Sequence, residues 1–132
     1  MSSRVETFTP EGSPVPIGPY SHIAKAGDQI VIGGVGGVDP STGNIAGADV
    51  FAQARQILLT FDSMLKSVDS DLEHILHIHV YLKEMRDFDE MNRAYIDVLT
   101  DHRPARTVIG ARELPKPEFL VLMNLSAVAA KR

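Results

Sequence analysis

The sequence predicts an α+β fold: a single mixed β-sheet with two helices packed on one of its faces. Three observations carry this expectation. Between residues 49 and 68 the apolar side chains Val50, Phe51, Ala54, Ile57, Leu58, Phe61, Leu65 and Val68 recur every three or four positions, the period of one helix face. Residues 76–83 alternate instead, with the period of a strand. The order along the chain is strands, helix, strand, helix and two last strands, and two helices with one apolar stripe each can share one face of a sheet.

Composition sets the outer limits. At 132 residues, with 44% hydrophobic and 23% charged side chains, the chain is expected to form one domain, residues 1–132. A chain of this size buries about two-thirds of the surface it exposes when unfolded. The net charge of −4 comes with no lysine- or arginine-rich run, so no electrostatic footprint for nucleic acid is present. Zero cysteines exclude a disulfide framework and a thiolate nucleophile. No segment reads as a membrane span, and the first residues lack the apolar core of a signal peptide. A soluble, cytoplasmic protein is the expectation.

The elements follow in order. Residues 1–19 hold Pro10, Pro14, Pro16 and Pro19 with Gly12 and Gly18, an extended and turn-rich lead-in, with a first strand near 4–8. Residues 20–26 and 29–32 are short apolar runs joined by Gly27-Asp28, a hairpin signal. The second run enters Gly33-Gly34-Val35-Gly36-Gly37 and then the turn Asp39-Pro40-Ser41-Thr42-Gly43-Asn44. A phosphate-binding loop would open a helix directly, and here a proline turn intervenes, so the glycines read as backbone that something approaches closely. On the long helix, Gln53, Arg55, Gln56, Asp62 and Lys66 are expected to form the solvated face. The strand at 76–83 places His77, His79 and Tyr81 on one face. Two histidines need a third ligand to hold zinc, and none is evident, so no metal site is expected. Asp87-x-x-Glu90 matches a capping box opening the second helix, whose apolar face is Phe88, Met91, Tyr95, Val98 and Leu99. Pro104 closes it, and strands at 106–110 and 120–129 complete the chain. The sheet face away from the helices is expected to carry Val108, Met123 and Leu125, a composition that suggests burial by another subunit.

Arg106 stands at the mouth of an apolar strand, just after Pro104. A guanidinium held there suits two parallel hydrogen bonds to a carboxylate. On chemistry alone a surface ion pair is the stronger of the two readings, because most arginines sit at solvated ends.

Four separated stretches change that weighting. Gly18-Pro19-Tyr20-Ser21, Gly33-Gly34 with Asp39-Pro40-x-Thr42-Gly43, Phe88-x-x-x-Asn92-x-x-Tyr95, and Pro104-Ala105-Arg106 with Leu114-Pro115-Lys116 stand in unbroken order. In these the chain resembles the RidA/YjgF family from about residue 8 to residue 129. The resemblance implies a chorismate-mutase-like fold assembled as a homotrimer, with sites in the clefts between subunits. It implies hydrolysis of reactive 2-imino acids and their enamine precursors to 2-keto acids and ammonia, with no cofactor. By position, Arg106 would grip the carboxylate of a small substrate, and Tyr20, Gly33, Gly34, Phe88, Asn92 and Thr107 would line or brace the pocket. The family's glutamate on the last strand is replaced by Leu122 within Val121-Leu122-Met123. Glu118 falls about four residues too early, whereas Asn124 shares a strand face with Leu122 and is able to hold a water by its amide. Gly33 and Val35 stand where the family has serine and glutamine, and Thr107 where a smaller or apolar residue is common. The expectation is therefore a deaminase relying on Arg106, Tyr20 and Asn124, or a protein that binds small carboxylates without turnover. RNA cleavage, also linked to the family, is disfavoured by the acidic composition.

Overall fold

The computed structural model describes residues 4–130; the first three residues, where the reading of the N-terminus begins, lie outside it. Six strands form one sheet in the order β1-β2-β3-β6-β4-β5. They are β1 (Glu6–Phe8), β2 (Ile23–Ala26), β3 (Gln29–Gly36), β4 (Ile75–Leu82), β5 (Ala105–Gly110) and β6 (Val121–Val128). Helices α1 (Val50–Lys66) and α2 (Phe88–Leu99) connect them. Every pairing is antiparallel except that of β4 with β5, so the sheet is mixed as expected.

Local sequence explains most boundaries. Gly27 takes φ +59°, a left-handed conformation that costs glycine nothing, and turns β2 back onto β3. Asp49 caps α1, its carboxylate accepting from the Ala52 N–H at 2.8 Å. The capping box expected at α2 does not form. A short 3₁₀ turn over Met85–Asp87 precedes the helix and leaves Asp87 at φ −87°, ψ 7°, without a side-chain cap. An N-cap side chain needs extended backbone to fold back over the first turn. Glu90 is thereby released, and accepts instead from the Phe51 N–H at the start of α1, at 3.4 Å.

Both helices cover one face of the sheet. Ile57, Phe61 and Leu65 of α1 meet Ile78, Val80 and Met123 there, all fully buried. Pairing aligns Val80 with both Met123 and Val108, and Ile78 with Leu125 and Arg106. Val108, Met123 and Leu125 thus point toward the helices, against the sequence-based expectation. The alternation along each strand holds, but the face turned inward is the opposite of the one expected. The opposite face carries His77, His79 and Tyr81 with Leu122, Asn124 and Ser126, all half-buried. No helix among the described residues is long and apolar enough to cross a membrane.

Gln53 is a second departure. It is 1% exposed rather than part of the solvated face. Its amide donates to the carbonyls of Gly47 at 3.0 Å and Glu118 at 3.1 Å, and accepts from the Leu120 N–H at 2.8 Å. One side chain thereby ties the loop before α1 to the loop before β6. Its place three residues after Val50 and four before Ile57 already lies on the apolar stripe.

Candidate functional site

The glycine-rich end of β3 forms the floor of a cleft of about 730 Å³. Its outer wall is the proline-rich lead-in, which lies over the sheet because His22 holds it. The His22 Nε2 lies 2.7 Å from the Pro14 carbonyl oxygen, and since a carbonyl only accepts, that nitrogen carries the proton. The other ring nitrogen, Nδ1, is buried without a partner. Tyr20 meets the same imidazole edge-on at 5.6 Å, and its hydroxyl accepts from the Ile17 N–H at 3.2 Å. Gly33, Gly34 and Leu122 also line this cleft. A Cβ on Gly34 would stand 3.1 Å from a Leu122 methyl, so the missing side chain is what lets Leu122 lie across the floor.

Arg106 lies elsewhere. Its strand is the sheet edge, and its alignment with Ile78 turns the side chain to the helix-covered face. There Nη1 donates to the Asn92 Oδ1 at 2.8 Å, and the guanidinium stands 4.8 Å from the Tyr95 ring centre and 5.5 Å from that of Phe88. Asn92, Tyr95, Ile96, Arg103, Pro104 and Arg106 line a shallower cleft of about 280 Å³. Burial pushes the Tyr95 hydroxyl pKa up, while Arg106 and Arg103 pull the other way. That hydroxyl has no hydrogen-bond partner. Arg106 pairs with no carboxylate; the ion pairs among the described residues are Arg55–Asp97, Lys66–Asp62 and His74–Asp71.

The remaining predicted residues, Asn124 and Thr107, lie on the open sheet face, both aligned with His79. Asn124 Nδ2 is 3.5 Å from the Tyr81 hydroxyl, a long contact. Thr107 Oγ1 is 3.0 Å from His77 Nε2, and the His77 and His79 rings are 4.1 Å apart. No group of three or more metal-ligating side chains occurs among the described residues. One chain thus brings Tyr20, Gly33, Gly34 and Leu122 together, and separately Arg106, Asn92 and Phe88, but leaves Arg106 and Leu122 on opposite faces. Sequence reasoning assigned no site role to Tyr95, His22, Lys116 or Phe119. Tyr95 was legible as part of the apolar face of the second helix and of the Asn92-x-x-Tyr95 spacing, which places it one helical turn from Asn92.

The family model described as endoribonuclease L-PSP matches residues 11–129. The chain belongs to the RidA/YjgF family. A RutC family protein of Pyrococcus horikoshii is 37% identical over 126 residues, covering 96% of this chain and 98% of that one. The 2-iminobutanoate/2-iminopropanoate deaminase of Escherichia coli is 32% identical over 130 residues, covering 96% of this chain and 98% of its own length. The crystal structure of the Escherichia coli YjgF gene product superposes with a TM-score of 0.87 at 32% identity, over 93% of this chain and 98% of the other. Membership accounts for the mixed sheet with two helices on one face.

Proposed function

We propose that this RidA-family chain binds small 2-imino or enamino acids by their carboxylate at Arg106 and hydrolyses them to 2-keto acids and ammonia. The observation that carries the reading is the state of the guanidinium. It is oriented by the Asn92 carbonyl oxygen and two aromatic rings, and no carboxylate among the described residues neutralises it. A positive charge fixed in this way is prepared for an external carboxylate, which it engages by charge-assisted hydrogen bonds.

The chemistry asks little more of the protein. Water adds its oxygen to the electrophilic C=N carbon, a proton passes to nitrogen, and the resulting amino alcohol expels ammonia to leave a carbonyl. Orientation of the imine beside a water supplies much of the rate, and no cofactor enters the balance. The lead-in cleft with Tyr20 and the Arg106 cleft lie apart in one chain, so the reading includes a homotrimer in which a second copy brings Arg106 against the first copy's cleft. The relative named as a 2-iminobutanoate/2-iminopropanoate deaminase supports the reaction class.

A specific observation favours a second reading. Leu122 lies on the cleft floor where a general base would act, and loss of such a base costs about 10²–10⁴ in rate. A chain with the grip and no base would capture 2-keto acids or other small carboxylates without turnover.

One experiment separates these. 2-Iminobutanoate or 2-aminoacrylate is generated in situ by an amino-acid oxidase or dehydratase, and its loss is followed with and without the protein. Acceleration that vanishes in Arg106→Ala supports the deaminase. No acceleration by the natural chain, with a gain in Leu122→Glu and keto-acid binding that depends on Arg106, supports the binding protein. If Arg106→Ala alters neither hydrolysis nor keto-acid binding, the assignment of the site is wrong.

A further inference from the structure

We propose that the cleft selects acids with a bulky apolar side chain of about four or more carbons, and that Leu122 is the specificity-determining residue. The inference rests on the reading of Arg106 as the carboxylate grip and extends it to the other end of the ligand. Three features of the cleft point the same way.

The first is its lining. Ile17, Val35, Phe119 and Leu122 contribute apolar surface, and no aspartate or glutamate is among the residues that form it. Lys116 is also in the lining and makes no ion pair among the described residues. Walls of this kind complement an apolar body, and a short polar acid does not. The second is size: in the single chain the cleft measures about 730 Å³, a volume that the acid would share with a second copy's Arg106 and that a three-carbon acid alone is far from filling. The third is how the floor is made. Leu122 lies in the space that a side chain on Gly34 would take, its methyl 3.1 Å from the position of that absent Cβ. The floor is a hydrocarbon surface at the position where an acidic residue would demand a hydrogen-bonded water.

Exposure of the wall adds to this. In the single chain Ile17 is 54% exposed and Tyr20 43% exposed, apolar surface that the acid and the second copy together would remove from water. Each methylene so buried strengthens binding about fourfold. From pyruvate to 4-methyl-2-oxopentanoate, with three more carbons, the expected gain is about fifty-fold.

The test measures binding of pyruvate, 2-oxobutanoate, 4-methyl-2-oxopentanoate and phenylpyruvate to the full chain by titration calorimetry at one pH and salt concentration. Affinity is expected to rise along the series in the natural chain. The ratio of long-chain to short-chain affinity is expected to fall at least tenfold in Leu122→Glu. The ratio is the readout because a new carboxylate weakens every acid alike through its charge. Ile17→Ser, at a position 54% exposed in the single chain, is expected to lower the same ratio by a few-fold. Equal affinities across the series, with all binding lost in Arg106→Ala, would overturn the selectivity and leave the grip standing. Binding of none of the acids, or binding indifferent to Arg106→Ala, would overturn the grip and this inference with it. If Ile17→Ser dissociates the assembly and leaves the ratio unchanged, the wall is an interface between copies, and the proposal fails.

Discussion

Replacing Gln53 with alanine removes the side chain that ties two loops to α1, and the cost follows from its three hydrogen bonds. The carbonyls of Gly47 and Glu118 and the Leu120 N–H would each lose a partner. A buried group left unsatisfied costs about 1–3 kcal/mol. Glu118 is exposed and Gly47 and Leu120 are half-buried, so water reaches part of what is lost. The sum comes to about 3 kcal/mol, a large share of the roughly 5–15 kcal/mol by which a domain is stable. Urea unfolding followed by circular dichroism should show the midpoint falling by about 1.5 M with an unchanged slope. Thermal unfolding should fall by about 10 °C. Gln56→Ala is the control on the same helix, since Gln56 bonds only the Thr60 hydroxyl one turn away at 3.1 Å. It should cost less than about 0.5 kcal/mol. A Gln53→Ala variant no less stable than Gln56→Ala would refute the claim that this amide holds the loops. The effect should also reach the cleft, because the loop Gln53 grips carries Phe119.

Two further outcomes concern packing and pH. In Gly37→Ala the new methyl would lie 2.7 Å from the Gln53 Cα and 2.8 Å from its carbonyl oxygen, so α1 itself must move. A loss of about 2 kcal/mol or more is expected by chemical denaturation, whereas Gly33→Ala, whose nearest neighbour would be 4.0 Å away, should stay close to the natural chain. Asp71 is held below the ordinary carboxylate range, first by its hydrogen bond with His74. Its charged form therefore stabilises the fold above the unfolded-state value near 3.9, and the contribution is lost as pH falls through the lowered folded value. Asp71→Asn, whose amide oxygen still caps the Glu73 N–H, should be less stable than the natural chain at pH 6. The gap should close as acid titration approaches pH 2. A gap independent of pH would show that charge on Asp71 contributes nothing.

Much of the architecture was legible because each segment's pattern reports its own geometry. The stripe from Val50 to Leu65 gave α1, the alternation from Leu76 to Leu82 gave β4, and Gly27-Asp28 gave the hairpin. The glycines after Ile32 signal backbone under close approach, and Gly36 against Phe119 and Gly37 against Gln53 are such approaches. Asp87 and Glu90 mark the limit of local reasoning. Their spacing is that of a capping box, yet a 3₁₀ turn set by the preceding segment takes Asp87 out of the required conformation.

The candidate site divides along the same line. Residue types that line the two clefts were recognisable in sequence, where the family resemblance singled out Arg106, Asn92, Tyr20 and Leu122. Which of them meet was decided by pairing between distant strands. The parallel register of β5 on β4 sets Arg106 beside Ile78 on the helix-covered face, while the antiparallel register of β6 on β4 sets Leu122 beside Tyr81 on the other. A period of two says that neighbours in sequence point oppositely, but not which of them points inward. The sequence by itself therefore determined the elements, their order and the family. The tertiary structure decided the faces, the burial of Gln53 and the separation of the two clefts, because those depend on contacts between residues that are far apart in the chain.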